Sequence, residues 1–597
     1  MRTLILTLSL ALLAACLGTR AHAEINYTYL EQGWTWAERE RFWLLGQGSE
    51  IMPFEWFLHL EQADSQALFI DPDNIRRLGY IPWPTASGVD MPAEKQVPIG
   101  FTRAANPHTG EVWLGMNCSA CHTNLVRYND TTLLIDGAPT LGDYWQFNLD
   151  VTAALNRTLT DDDKFTRFAE RLGVASAERM ALRNKLTEVV ADRVAYNERN
   201  QHETRYGHGR LDAIGFIFNE VVAGRLAHEG AAVNSGIPEN RRAPEAPVSY
   251  PFLWGTAQAD YVQWNGVSFA QTPIGNLARD TVEVLGVYGR IEIDCENNSF
   301  KSSVLFRESK ELGDMTATLR APAWPSDVLP PVDLEVAHAG EQLYGQFCAS
   351  CHEVIPAKDW NKPYKSGLWP MEMIGTDMRY GASATQWVDS GCLEGETIMR
   401  AVGPALKKTA TSYSVVTHVA LGALSENFRD AILPNLSTRG LLTNLEDNGL
   451  ALREPRPIYK ARPLNGIWAT APYLHNGSVA NLDDLLKPPA ERAAQVTAGC
   501  PDFDPEKVGF TCEAGSPGTT TIDVSCEVPD DESVPISGKW VDRNYHELPF
   551  RSGRVAGVKA TLADTGNCNL GHDIRKATGE AFTDEERRQL VEFLKTL

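Results

Sequence analysis

Cys118-Ser119-Ala120-Cys121-His122 and Cys348-Ala349-Ser350-Cys351-His352 are the two stretches on which the reading of this chain turns. Both follow the pattern C-x-x-C-H. With 11 cysteines and 13 histidines in 597 positions, such a pentapeptide arises by chance on the order of 0.004 times per chain. The spacing has a chemical reason. Two thiols separated by two residues can add to the two vinyl groups on one edge of a porphyrin, while the adjacent histidine swings under the iron as proximal ligand. A zinc knuckle would need a second ligand pair close by, and a thioredoxin-like pair gives no reason for a histidine to follow twice. Two covalently bound haem c groups are therefore expected, one on Cys118, Cys121 and His122 and one on Cys348, Cys351 and His352, with both histidines as metal ligands. A structural calcium ion is kept as a further candidate cofactor.

Outward from the second motif, residues 335–347 read as an amphipathic helix leading into the attachment loop. Near the end of the chain, Thr583-Asp584-Glu585-Glu586 is a capping box ahead of an apolar stripe of Leu590, Phe593, Leu594 and Leu597, which predicts a helix packed across the first. Prolines between Pro322 and Pro331 interrupt any helix there. The expected architecture is mostly α: two c-type cytochrome domains with long loop-rich insertions, at 24–330 and 331–597, behind a signal peptide at 1–23. One insertion holds a helical stretch, Ser176 to Asn200, with Met180, Leu186, Val190 and Val194 on a helical period. The segment from Cys500 to about Pro535 reads as a surface excursion stapled by disulfides. Setting aside Cys16 and the four motif thiols leaves Cys295, Cys392, Cys500, Cys512, Cys526 and Cys568. Three disulfides are expected, with Cys295 bridging to the second half; one reduced, buried pair is the alternative.

The leader is read from the apolar run Leu4 to Leu17 ending at Ala21-His22-Ala23, a small-x-small cleavage pattern. Leu13-Ala14-Ala15-Cys16 competes as a lipobox, in which Cys16 would be lipidated and anchor the protein. Either way the chain is expected to be exported, periplasmic or secreted, and the longest later apolar run, around Val415 to Leu424, is too short to span a bilayer. The formal charge is −22, from 55 basic and 77 acidic residues, and loss of Arg2 and Arg20 with the leader makes it more negative by two. No basic run offers a phosphate-backbone footprint, so nucleic acid is excluded as a partner. A redox partner protein is compatible with the charge.

Further stretches carry a family resemblance: Trp56-Phe57-Leu58, Ile99-Gly100-Phe101, Ile135-Asp136-Gly137, Tyr206-Gly207-His208-Gly209-Arg210-Leu211-Asp212, Tyr261-Val262-Gln263-Trp264-Asn265-Gly266, Glu283-Val284-Leu285-Gly286 and Ala471-Pro472-Tyr473-Leu474-His475-Asn476-Gly477-Ser478. With two haem motifs in order, the chain resembles the di-haem rubber oxygenases, an outgroup of the bacterial di-haem cytochrome c peroxidases. The resemblance implies that the N-terminal haem keeps an open face for an oxidant and that the C-terminal haem is six-coordinate. It points to His572 as the second haem's distal ligand; His475 is the rival, and Met371, Met373 and Met378 keep a His/Met pair open. For the first haem, Trp264-Asn265-Gly266 and Glu283 resemble the peroxidase pattern of Trp-Asp-Gly followed by Glu-Met-Gly, with Asn265 in place of Asp and Val284 in place of Met. Glu283, Trp264 and Asn265 are thus the catalytic candidates, a carboxylate over an open iron being suited to moving a proton between the oxygens of a bound oxidant. The plainer reading makes Trp264 core packing and Glu283 a surface carboxylate. Arg279 and His208 are weaker candidates. Three functions follow: an oxygenase using dioxygen on a small or polymeric apolar substrate, a peroxidase reducing hydrogen peroxide, or a di-haem electron carrier.

Overall fold

The computed structural model describes residues 27–84, 91–269, 273–377, 379–383, 386–397, 405–427, 429, 458–526, 539–541, 547–549, 566–576 and 578–597. The expected leader with its alternative at Cys16, the Met373 side chain and Met378 lie outside the described residues.

The expectation of a mostly α protein is corrected. Of the described residues, 38% are helical and 16% are in strands, and they form ten small sheets of two or three strands each. The reason is visible around the first motif. Strands β1 (Phe101–Ala105) and β2 (Val112–Met116) form an antiparallel pair, the four-residue helix α1 (Cys118–Cys121) follows, and β3 (Thr123–Tyr128) turns back as β4 (Thr131–Asp136). Between β3 and β4 the loop is only Asn129-Asp130, and Asn129 takes the left-handed backbone (φ 51°) that two-residue hairpin loops require. Short alternating segments with such turns close into hairpins, not helices. Gly100 (φ 80°) lies so close beneath α1 that an added Cβ would meet the Ala120 amide nitrogen at 2.0 Å.

In the insertion, helix α2 (Arg179–Arg199) forms with a stripe rotated from the expected one. Leu186 and Val190 are buried beside Val189, Arg193 and Tyr196, whereas Met180 and Val194 face out. Arg193 can join the buried face because it pairs with Asp192 at 2.6 Å and stacks over the Tyr288 ring at 4.8 Å. Helix α3 (Pro273–Gly286) follows. Beyond the prolines, α4 (Leu334–Phe347) starts at an Asp333 cap and runs into Cys348. Strand β5 (Gly367–Pro370), helix α5 (Ser412–Glu426), which packs on α3, and strand β6 (Ile458–Ala461), which pairs with β5, come next. Helix α6 (Asp584–Lys595) carries the reciprocal capping box of Thr583 and Glu586. It crosses α4 at Gly340, where a Cβ would strike the Gln589 carbonyl oxygen at 1.9 Å, and Tyr344 packs on Phe593 at 5.0 Å.

One buried cluster takes Trp43 and Trp254 from before the proline segment and Tyr344, Trp468 and Leu590 from after it. The described part of the Cys500 region is not merely a surface excursion: Phe503, Val508 and Phe510 of its short hairpin enter this core, Phe503 against Trp468. Disulfides join Cys295 to Cys392, Cys500 to Cys512 and Cys526 to Cys568, while Cys118, Cys121, Cys348 and Cys351 take part in none. The first of these bonds links the two halves. No helix among the described residues is long and apolar enough to cross a membrane.

Candidate haem sites

Asn117 caps α1 by accepting from the Ser119 amide, and the His122 amide donates back to the Cys118 carbonyl at 2.9 Å. This single turn puts Cys118, Cys121 and His122 on the wall of one cavity of about 1340 Å³, mouth included. Burial holds both thiols protonated, pushing Cys121 up to about 12 and raising Cys118 as well. Burial also drives the His122 pKa down to about 4, against the Pro251 carbonyl and with help from Arg462 and Arg279. The ring is therefore a neutral imidazole, the form that ligates a metal.

Opposite these groups stands a polar set. One turn of α3 presents Arg279, Asp280 and Glu283 to the cavity, with Arg279 Nη2 2.7 Å from Asp280 Oδ1 and Nε 3.8 Å from Glu283 Oε1. Gln263 Nε2 donates to Glu283 Oε1 at 2.7 Å. The Glu283 side chain is 40% accessible and lines both this cavity and a neighbouring one. Burial, with the Asp280 charge added, pushes its pKa up to about 7 against the pull of Arg279 and Gln263. Lys460 and Arg462 complete the lining. Both are buried, and the Arg462 Nε has no hydrogen-bond partner.

A second, smaller chamber adjoins the first. The two share Gln263, Arg279 and Glu283 together with Ile214 and Ile217. Otherwise the second is walled by α3 and α5 through side chains such as Ala278, Val282, Tyr413, Val416 and Ala420. The Gln263–Glu283 pair thus stands between the two chambers, each of which is lined mostly by apolar side chains.

Trp264 and Asn265 line neither chamber. Trp264 Nε1 donates to the Ser249 carbonyl at 2.8 Å, and buried Asn265 accepts from the Val267 amide at 3.3 Å. Gln263 takes their place because its backbone is left-handed (φ 67°), which turns its side chain inward and theirs away. His208 has both ring nitrogens engaged, with Thr520 Oγ1 at 2.8 Å and the Arg77 carbonyl at 3.1 Å, and lines neither chamber.

At the second motif, α4 delivers Cys348, Cys351 and His352. The His352 Nδ1–H donates to the Arg462 carbonyl at 2.7 Å, which fixes the tautomer and leaves Nε2 for a metal. Tyr344 Oη donates to the His352 carbonyl at 2.6 Å. His572 faces this ring at a centroid separation of 6.2 Å. Its backbone is left-handed (φ 52°), and its amide donates to the Ile374 carbonyl at 2.8 Å. Burial, then the neighbouring His352 and Arg492, depress the His572 pKa to about 3, and burial lowers that of His352. Two metal–imidazole bonds of roughly 2 Å plus about 1.1 Å from each nitrogen to its ring centre place the centroids roughly 6.2 Å apart. The pair therefore has the spacing of two axial ligands. His475 is committed elsewhere, with Nε2 3.1 Å from Tyr459 Oη and Nδ1 3.3 Å from Thr376 Oγ1. Met371 is buried in an apolar core. Among the described residues no cluster of three or more His, Cys, Asp or Glu side chains is placed to hold a metal ion such as calcium.

Lys460, Arg462 and His475 all lie within residues 458–496, the stretch that matches a family described as RoxA-like, cytochrome c-like. The match supports a haem c protein. Over 96% of this chain and 93% of the other, it is 28% identical to the uncharacterized protein y4iJ of Sinorhizobium fredii (strain NBRC 101917 / NGR234). It is 26% identical to a second uncharacterized protein of that organism, y4iM, over 47% of this chain and 54% of the other. Sequence reasoning missed Gln263, Asp280, Lys460 and Arg462. A basic residue inside the buried strand β6 is the one local signal that was there to be read.

Proposed function

We propose that this chain is an exported di-haem cytochrome oxidoreductase that uses dioxygen at the first site for oxidative cleavage of an apolar substrate, with the second site as the electron-transferring centre. The observation that carries this reading is the apolar chamber opening onto Gln263 and Glu283 at the edge of the first cavity. A peroxidase has no use for such a chamber. When bound, a haem supplies an iron that takes a diatomic ligand and changes oxidation state. His122 would hold it from below, and the thiols of Cys118 and Cys121 would anchor its edge. Arg462 would offer buried positive charge to its propionates, whereas burial and the Arg462 charge pull the Lys460 pKa well below its ordinary value. Gln263 orients the Glu283 carboxyl, which holds or releases a proton near neutral pH. Val282, Val416 and Ala420 keep water from an apolar substrate and position it. At the second site His352 and His572 would both hold the haem iron, which would suit electron transfer from a redox partner protein and deny access to an oxidant. Glu283 also favours a second reading, reduction of hydrogen peroxide, since a proton-moving carboxylate serves that reaction equally.

Dioxygen, carbon monoxide and peroxide added in turn to the reduced and as-isolated protein test the reading. Carbon monoxide should bind at one ferrous haem with negligible peroxide turnover; rapid peroxide consumption with a reduced cytochrome as donor overturns dioxygen chemistry. Ala420→Phe, which fills the apolar chamber, should lower turnover of an apolar alkene by roughly tenfold or more while carbon monoxide binding persists.

A further inference from the structure

Arg462 touches both cysteine–histidine sites. It follows β6, and its carbonyl and side chain point to different places. The carbonyl accepts the Nδ1–H of His352 at 2.7 Å. The guanidinium lines the first cavity, where Nη2 donates to the Phe252 carbonyl at 2.7 Å and to Thr256 Oγ1 at 3.2 Å, and its carbon lies 3.6 Å from the Phe252 ring centre. Only 5% of the residue is exposed, and Nε is buried without a hydrogen-bond partner. One residue thus lines the first cavity together with His122 and accepts the hydrogen bond of the second site's histidine.

We infer that Arg462 couples the two haem sites, so that an anionic ligand bound at the first shifts the reduction equilibrium of the second. The inference rests on the reading that both motifs carry haem. Its physics is local. The hydrogen bond to the outer nitrogen of a ligating imidazole sets that ligand's basicity, and basicity of an axial ligand tunes the iron couple. Negative charge entering the first cavity pulls on a guanidinium that donates there to the Phe252 carbonyl and to Thr256 Oγ1. Because the guanidinium belongs to a packed residue, its displacement is passed to the carbonyl that holds His352. The coupling must be reciprocal, since it is a free energy shared by two equilibria. Arg462 is here a positioning residue for His352, and it acts without touching the reacting atoms at the second iron.

The test is a spectroscopic redox titration of the second haem in the intact holoprotein, with and without sodium cyanide, after intact mass has shown two attached haems. In the unaltered protein cyanide should shift the second couple by about tenfold in equilibrium constant, which is about 59 mV for one electron. In Arg462→Gln the shift should fall below about twofold, Arg462→Lys should restore part of it, and the electron paramagnetic resonance g-values of the second haem should follow the same order. Thr256→Val, which loosens the guanidinium from the first-cavity side alone, should also reduce the shift. No shift in the unaltered protein overturns the inference without any variant, and so does an equal shift in Arg462→Gln or Thr256→Val. A mass showing fewer than two haems overturns the two-haem reading and this inference with it, whereas two haems with no coupling overturns the inference alone.

Discussion

The two haem motifs differ only in the order of one serine and one alanine, yet the protein builds opposite surroundings for them. Cys118 to His122 sit on a single helical turn between strands and look into a cavity shared with Arg279, Asp280 and Glu283. Cys348 to His352 close a helix of 14 residues and look at His572. On the two-haem reading, the pentapeptide would decide attachment and a distant segment would decide access. Glu283 comes from α3, with Gln263 hydrogen-bonded to it from a left-handed turn. His572 comes from a stretch tied down by the Cys526–Cys568 disulfide and by Arg492, whose side chain donates to the Asn569, Gly571 and His572 carbonyls.

The largest expected effect would abolish that contrast. His572→Ala should leave both haems attached, because thioether formation at Cys348 and Cys351 does not depend on a distal ligand. The low-spin signal of the second haem should disappear and that haem should begin to bind carbon monoxide, so that two ferrous haems take the ligand where one did. An unchanged low-spin spectrum would mean that another residue is the sixth ligand.

What was legible in the sequence was what is local. The cysteine–histidine spacing, the Thr583–Glu586 capping box and the helix ahead of Cys348 each depend on residues within a few positions of one another. The β content around the first motif was missed because its hairpins are short and the Asn129-Asp130 turn is easily read as a generic loop. The rotation of α2 was missed because a buried arginine is invisible to an apolar count; Arg193 is admitted by Asp192 and Tyr288. At the first site the choice of Gln263 over Trp264 depends on one positive φ, and the roles of Lys460 and Arg462 depend on β6 passing a cavity whose other walls lie far away in sequence.

An intermediate effect tests the chemistry of the open side. Burial raises the Glu283 pKa from 4.5 to about 7, so the carboxyl is mostly neutral below that pH and mostly charged above it. For stability the sign is unfavourable at high pH. The folded state holds this proton more tightly than the unfolded state, so the penalty of burying the charge develops as pH rises from about 4.5 to 7. For ligand binding the sign reverses. Hydrogen cyanide must give up its proton on binding a ferric iron, and a charged Glu283 can take it, so the association rate at the first haem should rise through pH about 7. In Glu283→Gln the profile should be flat and, at pH 8, roughly 10²-fold slower. A profile unchanged by the substitution would remove Glu283 from the site.

The smallest effect concerns the residue that sequence resemblance placed in the first site and the structure places beside it. Trp264 donates one hydrogen bond, to the Ser249 carbonyl at 2.8 Å, and its ring packs half-buried against an apolar core. Ser249 in turn donates its amide to the His475 carbonyl at 2.8 Å, so this bond belongs to a seam of backbone contacts and lies outside both chambers. Trp264→Phe keeps an aromatic ring and deletes the donor. It should cost about 1 kcal/mol in denaturant midpoint, the ordinary net worth of such a bond. Carbon monoxide binding and cyanide association at the first haem should change by less than about twofold. A tenfold loss of either would return Trp264 to the reacting side and narrow the difference between the two motifs, because the first cavity would then be shaped by an indole that now stands outside it. A silent Trp264→Phe beside a strong Glu283→Gln would confine the chemistry to the Gln263–Glu283 pair, where the two chambers meet.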